Sequence, residues 1–161
     1  MKAIVVTDQA AGTAGMALAE RPEPPAAIND VIVRIHASGF VSTELGWPST
    51  WTDRADRDRT PSIPGHELAG VVTALGYGTT GLSVGQRVFG LADWHRDGTL
   101  AEYVAIEARN VAPLPGDVDL TVGPVCRSRA LPRGRDCSST AAFRRGRASS
   151  RTARQAQSGR W

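Results

Sequence analysis

Cysteine is missing from residues 1–125; the two in the chain, Cys126 and Cys137, lie near its end. That absence excludes a disulfide scaffold for the bulk of the protein and fits a reducing compartment. Long apolar runs are missing as well. Nothing approaches the roughly 20 consecutive apolar residues that a membrane helix needs. The opening stretch Met1-Lys2-Ala3-Ile4-Val5-Val6 runs straight into Thr7-Asp8, too soon for a secretory leader. A soluble, cytoplasmic protein is expected. No internal repeat is visible, which excludes a solenoid or propeller.

The charge is unevenly spread. Residues 1–124 carry 9 Lys and Arg against 15 Asp and Glu, a net of −6, whereas residues 125–161 carry ten Arg, no Lys and one acid (Asp136), a net of +9. The formal +3 of the 161 residues averages these two unlike parts. The later part holds few large apolar side chains, among them Val125, Leu131, Phe143 and Trp161, with no period of 2 or 3.6. Such a composition buries too little surface to offset chain entropy, so disorder is expected there. The division is a folded domain over residues 1–123 and an unstructured tail over 124–161.

The first part is written in short extended segments. Residues 2–7 are β-branched and apolar, and 16–21 form a second short strand. Pro22-Glu23-Pro24-Pro25 is a rigid connector that continues neither helix nor ladder. Residues 30–37 alternate, with Val31, Val33 and Ile35 on one face and Ile32, Arg34 and His36 on the other. The polar, tryptophan-bearing residues 39–58 predict a surface excursion rather than a core element. Residues 68–75, 86–91 and 100–106 complete the strands. Short strands, Gly/Pro turns and little helical periodicity predict a mainly β fold, a small barrel or sandwich.

Five stretches in order then carry a resemblance: Met1-Lys2-Ala3; Ile35-His36-Ala37-Ser38-Gly39; Pro64-Gly65-His66-Glu67-Leu68-Ala69-Gly70-Val71-Val72; Val84-Gly85-Gln86-Arg87-Val88; and Gly98-Thr99-Leu100-Ala101-Glu102-Tyr103-Val104. Residues 1 to about 123 resemble the N-terminal, GroES-like catalytic domain of the medium-chain dehydrogenase/reductase superfamily, the zinc alcohol dehydrogenase and quinone reductase group. The resemblance implies a partly open β-barrel and a parent oxidoreductase that uses NAD or NADP and a small-molecule carbonyl or quinone substrate, with no specific nucleic acid and no membrane.

Zinc-dependent members carry a pattern like G-x-C-x-T-D, and here the stretch reads Gly39-Phe40-Val41-Ser42-Thr43-Glu44. Val41 stands at the cysteine position and binds no metal, and a catalytic zinc needs three protein ligands. The resemblance therefore implies the zinc-free branch, with no metal site. It implies Thr43, His66 and Glu67 as catalytic candidates, Thr43 also as a contact to the nicotinamide ribose; a hydroxyl there passes a proton. Against this, His66 is a packed ring bonded to neighbouring backbone, Glu67 a structural carboxylate that needs a partner, and Thr43 a loop residue bonded to its own backbone. Phe40, Trp47 and Trp51 line an apolar pocket for an enone or quinone, or else cover the barrel mouth. His95 reads as a surface-loop residue and the sign-alternating residues 53–59 as a solvated loop.

A Rossmann domain with a glycine-rich turn is expected after Leu114-Pro115, and no such turn follows. A frameshift near Gly123-Pro124 accounts for this. Permitted codons for residues 131–137, read from the third base, give T-A-W-Q-G-L; those for residues 151–159 give H-G-A-A-G-A-V-G, a dinucleotide-binding turn. The product itself is then expected to bind no cofactor tightly and to be inactive. The alternative is a non-catalytic GroES-like module whose ten arginines bind polyanions without sequence preference.

Overall fold

The structure is a computed structural model that describes residues 1–122; the expectations for the tail, 124–161, lie outside these residues. Among the described residues seven strands form two antiparallel sheets. Strands β1 (Lys2–Val6) and β2 (Met16–Glu20) pair with each other. Strands β3 (Asp30–Gly39), β4 (Glu67–Leu75), β5 (Arg87–Leu91), β6 (Tyr103–Glu107) and β7 (Val111–Pro113) form the larger sheet, in the order β6-β3-β4-β5-β7. Single bridges from Ala3 to Ala101 and from Val6 to Ser62 tie the small sheet to the loops of the large one. The mainly β architecture expected from the sequence is what the described residues adopt.

The core follows the alternation. Val31 and Val33 of β3, Leu68 and Val72 of β4, Val88 of β5, and Val104 and Ile106 of β6 pack into one cluster. Arg34 and His36 stay exposed, as expected of a half-buried strand. Ile32 departs from the pattern and is buried, next to a register shift between it and Val33. A bulge of this kind turns successive side chains out of strict alternation. β7 was not legible: its three residues carry one buried apolar side chain, Val111. β6 begins at Tyr103, not at residue 100.

The stretch 39–58 departs further from expectation. It folds into a 3-10 turn, Ser42–Gly46, and a single helical turn, α1 (Pro48–Trp51), with Glu44, Leu45 and Thr50 buried. Its polar groups are satisfied internally, which is why polar residues can be buried here. The Thr50 hydroxyl donates to the Glu44 carbonyl at 2.7 Å, Ser62 Oγ donates to the Thr50 carbonyl at 2.7 Å, and the Trp51 indole N–H donates to the Leu45 carbonyl at 2.8 Å.

Candidate active site

The run from Pro64 to His66 enters β4 through a backbone only glycine adopts readily. Gly65 has φ +90°, and a Cβ there would meet Thr99 Oγ1 at 2.8 Å. The segment is laced to the facing loop by three backbone bonds: Gly98 N to Ile63 O at 2.8 Å, Thr99 N to Gly65 O at 2.9 Å and Leu100 N to Pro64 O at 3.0 Å. Thr99, fully buried, donates its hydroxyl proton to the Glu67 carbonyl at 3.1 Å, so Ser38 Oγ, 2.7 Å away, is the donor to Thr99. His66 is thereby fixed between the 42–47 segment and the 92–98 loop; its own carbonyl accepts from Ala92 N at 2.7 Å.

Glu44 is the polar centre. Its Oε1 accepts from Val41 N at 3.1 Å, the reach-back that closes the first turn of a helix. Its Oε2 accepts from Gly65 N at 3.2 Å and lies 3.5 Å from His66 Nε2. Burial raises the Glu44 pKa, the two backbone N–H groups oppose that, and nearby Glu67 adds to it. Burial lowers the His66 pKa to about 4, helped by the positive charge of Arg59 and opposed by Asp93. At neutral pH the imidazole is uncharged, with Nε2 toward Glu44 and Nδ1 buried without a hydrogen-bond partner.

That imidazole meets two indoles, which also touch each other. Trp47 stacks on it, centroids 5.8 Å apart with 19° between planes; Trp94 tilts against it at 4.3 Å and 52°; the two indoles meet edge to face at 4.8 Å and 70°. The loop bearing Trp94 is held by charge. Asp93 pairs with Arg54, Asp97 faces Arg59 at 3.6 Å and Arg21 at 3.8 Å, and Arg96 makes a two-pronged pair with buried Asp30 at 3.0 and 2.6 Å. Arg59 Nη1 also donates to the Trp94 carbonyl at 3.3 Å. Residues 53–59 are therefore no uniformly solvated loop: Arg59 is largely buried and braces the site.

The structure brings Trp47, His66 and Glu44 together. Thr43 is exposed on the 3-10 turn beside Glu44. Glu67 is half-buried, its carboxylate lying over Gly39 in the facing strand. Phe40 and Trp51 are half-buried, and among the described residues neither joins the ring cluster of Trp47, His66 and Trp94. Trp51 is committed to Leu45 through its indole N–H. Glu44 and Trp94 were missed as site residues. Glu44 had a signal, standing three residues after Val41 at a turn entry; Trp94 had none beyond its ring.

Among the described residues no group of three His, Cys, Asp or Glu side chains is placed to hold a metal ion. The donor chemistry agrees: Val41 has none to offer, and the imidazole is enclosed by two indoles and a carboxylate. Zinc does not fit these residues. Their one α-helix is four residues long, and no glycine-rich turn opens it. No helix among them is long and apolar enough to cross a membrane.

Residues 27–116 match the family described as the alcohol dehydrogenase GroES-like domain. The chain is 31% identical over 137 residues to L-threonine 3-dehydrogenase of Ruegeria pomeroyi, a match covering 69% of this chain and 40% of that enzyme. It thus spans about 40% of the length of the curated relatives it matches. An alcohol dehydrogenase superfamily protein from Novosphingobium aromaticivorans superposes with TM-score 0.65 at 29% identity, over 78% of this chain and 38% of that one. A mycobacterial quinone oxidoreductase superposes with TM-score 0.69 at 26% identity, over 82% and 39%.

Proposed function

The chain belongs to the alcohol dehydrogenase GroES-like domain family of the medium-chain dehydrogenase/reductase superfamily, whose N-terminal domain it represents, and from that premise we propose that it is the substrate-side part of a zinc-independent, NAD(P)-dependent cytoplasmic oxidoreductase that reduces a conjugated carbonyl, quinone or ketone. The observation that carries the zinc-independent reading is Val41. It is 55% exposed at the entrance of the 3-10 turn, its N–H bonded to Glu44, and its side chain supplies no ligand atom.

The division of labour follows from burial. His66, enclosed by Trp47 and Trp94, shapes the floor of the site and does not itself reach substrate. Thr43, exposed on the rim, presents a hydroxyl that hydrogen-bonds the substrate carbonyl and passes it a proton. Glu67 lies over Gly39, its register partner in β3. When bound, a nicotinamide would supply hydride, and Thr43 would contact its ribose. On this reading residues 1–123 are the catalytic domain, and 124–161 replace the start of a cofactor domain.

The test is the gene. Reading the nucleotides downstream of the Gly123 codon is expected to reveal a continuation restored by a single-nucleotide correction. The frame-restored protein is expected to oxidise NADPH or NADH with 4-phenyl-3-buten-2-one and to keep that activity in EDTA. No such continuation, or activity lost with stoichiometric zinc, would overturn the proposal.

A further inference from the structure

We propose that the free edge of β6 is a docking site for the C-terminal end of an extended peptide: the peptide backbone pairs with Tyr103 and Ala105, and its α-carboxylate meets Arg21 and Arg59. The groove along this edge takes in neither His66 nor Glu44, and nothing in it depends on the oxidoreductase reading.

Among the described residues β6 is an end strand of the larger sheet and pairs with β3 alone. Its register fixes which backbone groups are spare. Ile35 N donates to Glu102 O at 2.9 Å, so Ile35 with Glu102, and by alternation Val33 with Val104 and Val31 with Ile106, are the hydrogen-bonded pairs. The N–H and C=O of Tyr103 and Ala105 therefore point away from β3. Both residues are half-buried, and among the described residues no loop bonds these groups. Across from them runs Pro22-Glu23-Pro24-Pro25, three of whose four residues have no N–H to give. Between connector and strand lies a groove of about 590 Å³, lined also by Ile63 and Gly98. An open strand edge is a template for another strand, and the connector borders this one without satisfying it.

The two ends of the groove differ in charge, and that sets the direction. At the Tyr103 end, Glu102 N donates to Lys2 O and Arg21 N to Met1 O, which brings Arg21 to the start of β6. Arg59 stands with it: Asp97 lies 3.8 Å from Arg21 and 3.6 Å from Arg59, too far to hydrogen-bond either. Two guanidiniums thus share one carboxylate. Arg59 Nη1 is committed to the Ser49 and Trp94 carbonyls, whereas the Arg21 guanidinium makes no hydrogen bond among the described residues. At the other end Arg96 is already neutralised by Asp30, the register partner of Glu107. Glu23, the remaining acid of the groove, is exposed. A strand added antiparallel to β6, the sense in which Ala3 already bridges Ala101, ends beside Tyr103 and delivers its α-carboxylate to Arg21 and Arg59.

The experiment uses the full 161-residue chain and the peptide acetyl-Ser-Val-Thr-Val, as free acid and as C-terminal amide, whose β-branched residues favour the extended state. In 15N–1H NMR titrations the free acid is expected to move the backbone amides of Tyr103 and Ala105 more than those of Val104 and Ile106, and to bind about tenfold more tightly than the amide. Ala105→Pro removes an outward donor and no ladder bond, so it is expected to fold and to lose the peptide. Arg21→Met is expected to keep the affinity for the amide and to lose the preference for the acid; this variant decides the matter if Ala105→Pro does not fold. No binding of the acid, equal binding of acid and amide, binding retained in folded Ala105→Pro, or a preference unchanged in Arg21→Met overturns the proposal. Movement of the same amides on raising the protein concentration alone assigns the edge to a second copy of the chain and overturns it as well.

Discussion

His66 and Glu44 face each other across 3.5 Å, Nε2 to Oε2, with both side chains almost wholly withdrawn from water. The pair ties acid stability to the floor of the site. Burial holds His66 down to about 4, against 6.5 in an unfolded chain. Between those values the unfolded chain binds a proton that the folded one refuses, so stability rises with pH through the window and is lost on acidification. The shift corresponds to on the order of 3 kcal/mol. Glu44, raised by burial, works in the opposite sense and offsets part of it. Asp53, held down to about 2 by Arg57, titrates below the window. The melting temperature is expected to drop from pH 6.5 to 4.5, and less steeply in His66→Gln. Parallel curves for the two proteins would show that some other group sets the acid limit.

Glu44 closes a turn as well as facing a histidine. Glu44→Ala strands Val41 N and Gly65 N, two backbone donors that both point at the lost carboxylate. Leaving such groups unpaired costs about 1–3 kcal/mol each. We expect urea unfolding of Glu44→Ala to show a loss of about 2–4 kcal/mol, with Glu44→Gln, which keeps one acceptor oxygen, intermediate. A loss below 1 kcal/mol in the alanine variant would mean that water replaces the carboxylate at little cost.

Asp30 and Arg96 differ in exposure, and that difference gives their pair a direction. Asp30 is 2% exposed, whereas the Arg96 side chain retains 35%. Arg96→Met abandons a carboxylate in the interior, which costs about 3–5 kcal/mol. Asp30→Asn leaves a guanidinium that turns to solvent and still meets an amide oxygen, so its cost is expected to be about 1–2 kcal/mol. Arg96→Met is also expected to shift the Trp94 indole N–H resonance, because the loop it anchors carries that indole. Equal losses in the two variants would argue that the pair is solvated from both sides.

Much of this was legible in the chain. The strands announced themselves because period-2 burial leaves a direct trace, as in Val31 and Val33. The Pro64–Glu67 motif announced itself because its glycine and histidine answer to geometry. The 39–58 stretch stayed hidden for a physical reason: Thr50, Ser62 and Glu44 are polar residues buried by bonding to one another and to backbone, and polarity alone reads as surface. Trp94 stayed hidden because its place is set by Arg54, Arg59 and Arg96, side chains that alternate with acids in sequence and read as solvated.

The motif glycine Gly65 is the most sensitive backbone position of the site. At φ +90° an L side chain is strained in any surroundings, and here its Cβ would also lie 2.8 Å from Thr99 Oγ1 and 3.1 Å from Leu100 Cγ. The neighbours cannot yield easily. Thr99 is fully buried and bonded at its hydroxyl to both Ser38 and the Glu67 carbonyl, while its N–H is bonded to Gly65 O itself. Gly65→Ala is therefore expected to cost about 2–4 kcal/mol, the sum of a left-handed backbone penalty and overpacking. The disturbance should spread one residue on, to His66, and be visible as a shifted indole resonance for Trp47, whose ring stacks on it. Thr99→Ala, which removes the crowding hydroxyl, separates the two causes. If crowding dominates, the double variant loses less than the sum of the two single losses; if strain at φ dominates, the two losses add. Denaturation of the three variants decides between them, and a Gly65→Ala protein as stable as the parent would mean that the motif loop relaxes to another backbone path.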